Sequence, residues 1–318
     1  MVSELSSFHV QGRAAVSSPR RLLQPPLCDF SASSGALRTA LPYQRSVVAA
    51  ARNVQARDAL LNCRLCAHHC GVNRIVGELG LCHAGVSARV FSAQLEVADE
   101  LELIPTFAIA FSGCDLRCAF CITGAQSWNA RAGESFDAIQ LAAKVRRALA
   151  RGARSVMILG GEPTIHLPSV IELVSALPDE ARLVWKTNAH GSGEARALLD
   201  GLFDVWLADC KFGNDECAQR LARVPNYTAV VRENLLWARA YSELIVRHLL
   251  MPGHVECCWR PIAAWLASEL PGVKVSLRGG FWPGWQTKRH AELHRMVSAD
   301  EVQYAARLAE ECELNLVK

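Results

Sequence analysis

From about residue 105 onward, short apolar runs of β type alternate with stretches of helical periodicity. The predicted strands are Thr106–Phe111, Ser155–Gly160, Arg182–Thr187, Val205–Phe212, Leu244–Met251 and Val273–Leu277. Between the first two, Ser135 reads as the N-cap of a helix that aligns Ile139, Ala142, Val145 and Leu149 on one face, and Gly152 ends it. Further helical stretches lie near 168–177, 194–201, 226–241 and 259–269. Strands alternating with helices imply a parallel sheet wrapped by helices. Six strands are too few for a closed eight-stranded barrel. The expected fold is therefore α/β, a partial (β/α)6 TIM-type barrel, in preference to an open doubly wound sheet.

The text upstream is different. Residues 1–50 are rich in Ser, Ala and Arg, contain Pro25-Pro26 and show no periodic apolar face, so they are expected to form a disordered extension. Residues 54–100 are cysteine-rich and too loop-like for a core of their own, so a bound metal is the natural staple. Residues 101–318 carry the barrel and a C-terminal extension.

Composition narrows the function. The 318 residues are 51% apolar and 20% charged, enough for one large core, and a net charge of +3 is too weak to argue for nucleic acid. Mean hydropathy is +0.12, and no apolar run approaches the roughly 18 residues of a spanning helix, so no membrane association is expected. The start lacks the apolar stretch of a secretory signal, which makes the reducing cytoplasm the expected compartment. There, 13 cysteines point to metal or redox chemistry rather than to disulfides.

Buried parallel strands are nearly continuous in apolar residues, so their polar interruptions carry information. The period-2 rule puts Leu207, Asp209 and Lys211 on one face, and Lys186 and Asn188 on the face of Val184. Glu162 lies just beyond the strand that ends at Gly160, and Arg247 interrupts Ile245–Leu249. All but Arg247 fall at or beyond a C-terminal strand end, the rim on which barrels build active sites. A paired structural charge explains any one of them. Four strands doing the same thing describe a charged ring for a polar ligand.

Just after the first strand, Cys114, Cys118 and Cys121 place three thiols within eight residues on a loop begun by Gly113. A [4Fe–4S] cube is usually held by four thiolates, so three leave one iron open, as a reacting metal centre requires. Zinc with a distant histidine, and chance clustering in a buried loop, are the competing readings. The C-x3-C-x2-C spacing, with Phe120 before its last cysteine and Gly160-Gly161-Glu162-Pro163 after the next strand, closely resembles the radical SAM superfamily. Within it, the chain is most similar to homologues of pyruvate formate-lyase activating enzyme, from about Leu61 to the C-terminus. Further matches are Trp185–Asn188, Leu207–Lys211, Val246–Gly253 and Leu293-His294-Arg295.

The resemblance implies a radical SAM oxidoreductase. Cys114, Cys118 and Cys121 would be the ligands of a [4Fe–4S] cluster that reductively cleaves S-adenosylmethionine to a 5′-deoxyadenosyl radical, which takes hydrogen from a substrate. Phe120 would lie against the adenine, and Gly160, Gly161, Glu162 and Pro163 would receive the SAM amino group. The activating enzymes have Asp-Thr-Asn where this chain has Lys186-Thr187-Asn188. The Lys186 ammonium is therefore expected to replace a monovalent cation beside the SAM carboxylate, with Asp209 as its counter-charge. Lys211 and Arg247 are further SAM-site candidates, and Asp115 reads as a structural turn residue. The implied partners are an external flavodoxin- or ferredoxin-like electron donor and a protein or peptide substrate. A small metabolite is the alternative substrate, and a non-catalytic iron–sulfur or zinc redox sensor on the same fold is the alternative class.

Cys63, Cys66, Cys70 and Cys82 supply four soft ligands, which by count suit structural zinc or an auxiliary iron–sulfur cluster equally. Of the remaining cysteines, Cys210 reads as a packed thiol and the vicinal pair Cys257-Cys258 as poor disulfide partners. Cys28, Cys217 and Cys312 have no evident partner in the sequence.

Overall fold

A computed structural model describes residues 44–98 and 100–317. The expected disorder of residues 1–43 lies outside the described residues. The expected boundary at 50 is corrected: α1 (Arg45–Asp58) begins before it and packs on a later helix. Arg45 anchors its start. This buried guanidinium donates to the Ala181 carbonyl at 2.6 Å and to both Asp204 carboxylate oxygens at 2.7 and 2.8 Å.

The strands are β1 (Arg89–Glu96), β2 (Thr106–Phe111), β3 (Glu134–Ser135), β4 (Ser155–Gly160), β5 (Leu183–Thr187), β6 (Val205–Asp209), β7 (Glu243–Leu249), β8 (Lys274–Arg278) and β9 (Asn315–Leu316). After α1 come α2 (Ala125–Trp128), α3 (Ala138–Ala150), α4 (Leu167–Ala176), α5 (Gly193–Leu199), α6 (Asp215–Ala222), α7 (Tyr227–Tyr241), α8 (Arg260–Glu269) and α9 (Ala299–Glu311). All six predicted strands are present, each parallel to the next, in the order β2-β4-β5-β6-β7-β8. β3 and β1 extend the β2 edge, with β1 antiparallel to both β2 and β3, and β9 extends the other edge in parallel. The sequence reading missed these three. β1 has only one well-buried position along its length, and β3 and β9 are two residues long.

The two faces of the sheet show why it is a barrel type and not doubly wound. Ile158, Trp185, Trp206, Ala208 and Val246 join the helices in the main core. On the other face Met157, Val184, Val205, Leu207 and Ile245 pack with Leu103 and, at the margin, Leu159 and Val317. No helix residue belongs to this second cluster among the described residues, whereas a doubly wound sheet carries helices on both faces. The segment before β2 fills the interior instead. Leu103 is fully buried, and the buried Glu100 accepts from Ser276 Oγ on β8 at 2.8 Å. The fold is a partial TIM-type barrel with a cysteine-rich segment docked on it through an antiparallel bridge between Cys66 and Gly191.

One predicted helix needs correction. α3 is capped by Asp137, whose carboxylate accepts from Gln140 N at 2.9 Å, while Ser135 belongs to β3. Its buried face is Ala138, Leu141, Ala142 and Val145, and Ile139 is 80% exposed. A stripe drawn one position off captured only part of the true face. No described helix is long and apolar enough to cross a membrane.

Arg45→Ala removes all of these bonds and leaves Asp204 with one fewer cationic partner in a half-buried setting. It is expected to cost about 1–3 kcal/mol, read as a lower urea midpoint at unchanged slope. An unchanged midpoint would mean that α1 does not depend on this anchor.

Candidate functional site

The loop after β2 and the end of β4 are locked backbone to backbone. Gly161 N donates to Phe111 O and Glu162 N to Gly113 O, both at 2.9 Å. A Cβ on Gly160 would sit 2.1 Å from Phe111 O, and one on Gly161 would sit 2.1 Å from Gly113 O. Gly160 also has φ +155°. The glycine pair is therefore demanded by the close approach of the cysteine loop itself. Gly113, at φ +86°, turns the chain into that loop.

The loop carries Cys114 and Cys118, both buried, and Cys121, partly exposed. Cys114 Sγ accepts from Leu116 N at 3.3 Å and from Asn188 Nδ2 at 3.7 Å. Cys121 Sγ lies 3.3 Å from Thr123 Oγ1. Burial pushes the Cys114 thiol well above its ordinary value and Cys118 up to about 12. Lys211 opposes the shift at Cys118. An incoming metal must displace these protons, so loading of the loop favours higher pH. Three soft donors on one short loop fit three corners of a [4Fe–4S] cube.

Beneath the loop sits a buried polar knot that the sequence reading treated as one turn residue. Asp115 accepts from Asn188 Nδ2 at 2.7 Å and from His190 Nδ1 at 2.8 Å. His68, from the cysteine-rich segment, donates Nε2–H to the Asp115 carbonyl at 3.0 Å. Burial alone would raise the Asp115 carboxyl, but His190 and Asn188 more than offset it and hold it below the usual range. Glu162 is the knot's second carboxylate. Thr164 N and Thr187 Oγ1 donate to its Oε1 at 3.0 and 2.9 Å, and Asn188 N to its Oε2 at 2.7 Å. Burial, with the charge of Asp115, pushes Glu162 up to about 7. Its side chain thus braces the rim. The signal available in the sequence was the polar run Thr187-Asn188-Ala189-His190 continuing past the end of β5.

Adjacent strands bring the expected rim charges together. Asp209 is in register with Arg247, and its Oδ2 bonds the Lys211 ammonium. Burial would raise Asp209, but Lys211 first, then Arg247, and least of all Lys186 hold it down. Asp209, expected as the counter-charge of Lys186, feels that charge and also bonds Lys211, two residues along its own face. Arg247 Nε also lies 3.8 Å from Glu100 Oε1, and Arg278 Nη2 lies 3.3 Å from the same oxygen. Glu100 escaped the sequence reading because it precedes β2 in an irregular segment. Phe120 is buried, edge-on to Phe212 at 5.9 Å and beside Phe281 at 6.4 Å. Pro163 opens the short 3-10 turn Pro163–His166 directly after Glu162.

The four upstream cysteines line one small cavity with Arg74, and about 10 Å³ of space remains between them. Arg74 is fully buried and donates to Ile165 O at 2.7 Å and Gly85 O at 3.1 Å, with Nη1 3.7 Å from Cys63 Sγ. Thiols that share one zinc ion, with Zn–S about 2.3 Å, lie about 3.8 Å apart. Among the described residues, these four are not among the groups whose ligand atoms lie within 4.8 Å of one another. Four soft donors around one cavity suit a structural zinc ion or an auxiliary iron–sulfur cluster.

The radical SAM superfamily model matches residues 109–266 of this chain. An uncharacterised protein of Methanocaldococcus jannaschii is 32% identical over 273 residues, 82% of this chain and 78% of the relative. A 7-carboxy-7-deazaguanine synthase of Methanothermobacter thermautotrophicus is 30% identical over 103 residues, 32% of this chain and 40% of that enzyme. Among solved structures, Streptococcus suis SuiB bound to S-adenosylmethionine superposes with TM-score 0.49 at 15% identity, over 64% of this chain and 47% of SuiB. A domain of pyruvate-formate lyase-activating enzyme from Bacteroides vulgatus gives TM-score 0.42 at 18% identity, over 51% of this chain and 97% of that domain. The chain thus spans less than half the length of SuiB and of the deazaguanine synthase.

Asp115→Ala strands the His190 and Asn188 donors in the interior. It is expected to cost roughly 3–5 kcal/mol, measured by urea unfolding of the full chain, and to lower iron retention by the cysteine loop. Wild-type stability and iron content in this variant would show that the knot does not support the loop.

Proposed function

This chain belongs to the radical SAM superfamily, and on that premise we propose that it generates a substrate radical at the rim formed by the β2 loop and the ends of β4, β5, β6 and β7. The observation that carries the reading is the lock between the three-cysteine loop and the Gly160-Gly161 turn, with a ring of rim charges beside it. In this proposal Cys114, Cys118 and Cys121 hold three corners of a [4Fe–4S] cluster, and the open fourth corner takes S-adenosylmethionine. The chemistry that these groups supply when bound is reductive cleavage of the sulfonium to a 5′-deoxyadenosyl radical that removes hydrogen from the substrate.

The protein's part is binding, orientation and exclusion of water. The β4-end backbone at Gly160–Pro163 is the proposed receiver of the SAM amino group, with the Glu162 carboxylate keeping that backbone in place. Lys186 offers its ammonium to the SAM carboxylate, where it replaces the monovalent cation of the Asp-Thr-Asn relatives. Asn188 fixes the β5 end by bonding both carboxylates of the knot. Asp209 orients Lys211, whose charge also reaches the cysteine loop, and Arg247 continues the cationic rim. Phe120, packed on Phe212 and Phe281, supplies an apolar wall for the adenine.

An external flavodoxin- or ferredoxin-like donor is proposed as the electron source, and a peptide or protein as the substrate. Ile122, 83% exposed directly after the last loop cysteine, and the exposed Trp282 and Trp285 support a macromolecular partner at this mouth. Trp285 lies over Gly124 of the same loop. A small metabolite is the second reading, favoured by the partial similarity to 7-carboxy-7-deazaguanine synthase. The four upstream cysteines, gathered around one cavity with the buried Arg74 cation beside them, are proposed to hold an auxiliary iron–sulfur cluster, with structural zinc as the alternative.

Anaerobically reconstituted protein with S-adenosylmethionine and a strong reductant is expected to form 5′-deoxyadenosine, and Cys118→Ser to form none. Iron should approach about eight per chain, falling to about four when Cys66 and Cys82 are changed to serine. Protein with a full cluster that neither binds nor cleaves S-adenosylmethionine would leave the redox-sensor reading. Turnover is expected to be indifferent to potassium and sodium, whereas Lys186→Asp should become dependent on one of them. Cation dependence in the wild type would remove the proposed role of Lys186.

A further inference from the structure

A second donor set, outside the site above, has the geometry of a single metal ion. Cys217 on α6 and His254, Cys257 and Cys258 around the π-helical turn Val255–Trp259 place their ligand atoms within 4.8 Å of one another. Cys257 Sγ lies 3.8 Å from Cys217 Sγ and 3.9 Å from Cys258 Sγ. His254 Nδ1 lies 3.6, 3.2 and 3.7 Å from the sulfurs of Cys217, Cys257 and Cys258. A tetrahedral ion with Zn–S about 2.3 Å and Zn–N about 2.0–2.1 Å sets edges of about 3.8 Å between sulfurs and about 3.6 Å from sulfur to nitrogen. We propose that Cys217, His254, Cys257 and Cys258 bind one zinc ion.

Three thiolates and an imidazole make a closed set of soft ligands, the composition of a structural zinc site. Binding releases the three thiol protons to solvent and leaves the unit with one negative charge. The supporting contacts are those that metal ligands need. Asn214, the N-cap of α6, donates Nδ2 to Cys217 Sγ at 3.4 Å and to the Cys257 carbonyl at 2.6 Å. Metal at Nδ1 keeps the hydrogen on His254 Nε2, which lies 3.7 Å from Glu292 Oε1. Glu292 is bonded to Arg220, whose guanidinium N–H points at the same ring nitrogen at 3.4 Å; with the hydrogen on Nε2 that contact gives way to Glu292, and Arg220 remains as the compensating positive charge. Gly213 leaves the two segments in backbone contact, since a Cβ there would meet Cys258 O at 2.3 Å.

The ion's place in the fold gives it a task. The far end of α6 accepts backbone hydrogen bonds from the cysteine loop, Ala119 N to Leu221 O at 2.8 Å and Arg117 N to Ala222 O at 3.0 Å. Zinc would pin this helix to the crossover after β7 and so steady the loop from behind.

The test is metal analysis and zinc K-edge absorption on the full chain, with its iron in place. The expected result is a stoichiometric zinc with sulfur and imidazole neighbours, and loss of one zinc per chain in Cys257→Ser at unchanged iron. His254→Cys keeps a fourth ligand, so it should retain the ion while the imidazole scattering disappears; this variant decides the matter if Cys257→Ser does not fold. Zinc content unaffected by Cys257→Ser, an absorption edge unaffected by His254→Cys, or an unreduced peptide 2 Da light through a Cys217–Cys257 disulfide would each overturn the proposal.

Discussion

One buried carboxylate ties the cysteine loop to the end of β5. Asp115 stands between the cysteine loop that carries it, the β5 end that supplies Asn188 and His190, and the upstream segment that supplies His68. A carboxylate taken out of water is tolerable only with its hydrogen bonds made. Here both donors to the carboxylate come from the β5 end while the carboxylate itself rides on the cysteine loop, so the cost of leaving Asp115 bare ties the loop to that strand end, and His68 adds a bond to the same residue's backbone carbonyl. Glu162 repeats the device one strand away, and Asn188 serves both carboxylates, one through its side chain and the other through its backbone.

The glycine pair acts by the opposite means. It works through what is missing, since the cysteine loop passes so close to the β4 end that no side chain fits between them. The two devices together make a rigid seat from loops, which are ordinarily the mobile part of a barrel. Rigidity matters for radical chemistry because the reactive atom must meet the substrate before anything else does. The partial barrel contributes the geometry: parallel neighbours deliver Asp209 beside Arg247 and Phe111 beside Gly160 without any long-range coincidence.

The fold gathers cysteines that are scattered along the chain into two further sets besides the loop after β2. The upstream four gather around one cavity together with the buried Arg74. The Cys217 group converges on one point, with edges close to those of a single tetrahedral ion. Both sets offer four soft donors.

The sequence determined the six strands, their alternation with helices and the polar residues at the strand ends. The physical reason is local: apolar runs, helical periodicity and strand-end polarity are written in neighbouring residues. The glycine pair and the loop cysteines stood out through their spacing and the family resemblance it carries. The α3 face slipped because Ile139 is apolar yet exposed, and the short edge strands carry too few residues to show a period. Only the tertiary structure decided the bond of Lys211 to Asp209, the second life of Asp115 as a hub, and the company of Cys217. Cys217 shows no partner along the chain, and its three companions arrive from another crossover after two intervening elements, α7 and β7. Side chains that meet across such distances do so because the sheet and its helices pack in one way, and packing is a property of the whole fold rather than of any stretch of sequence.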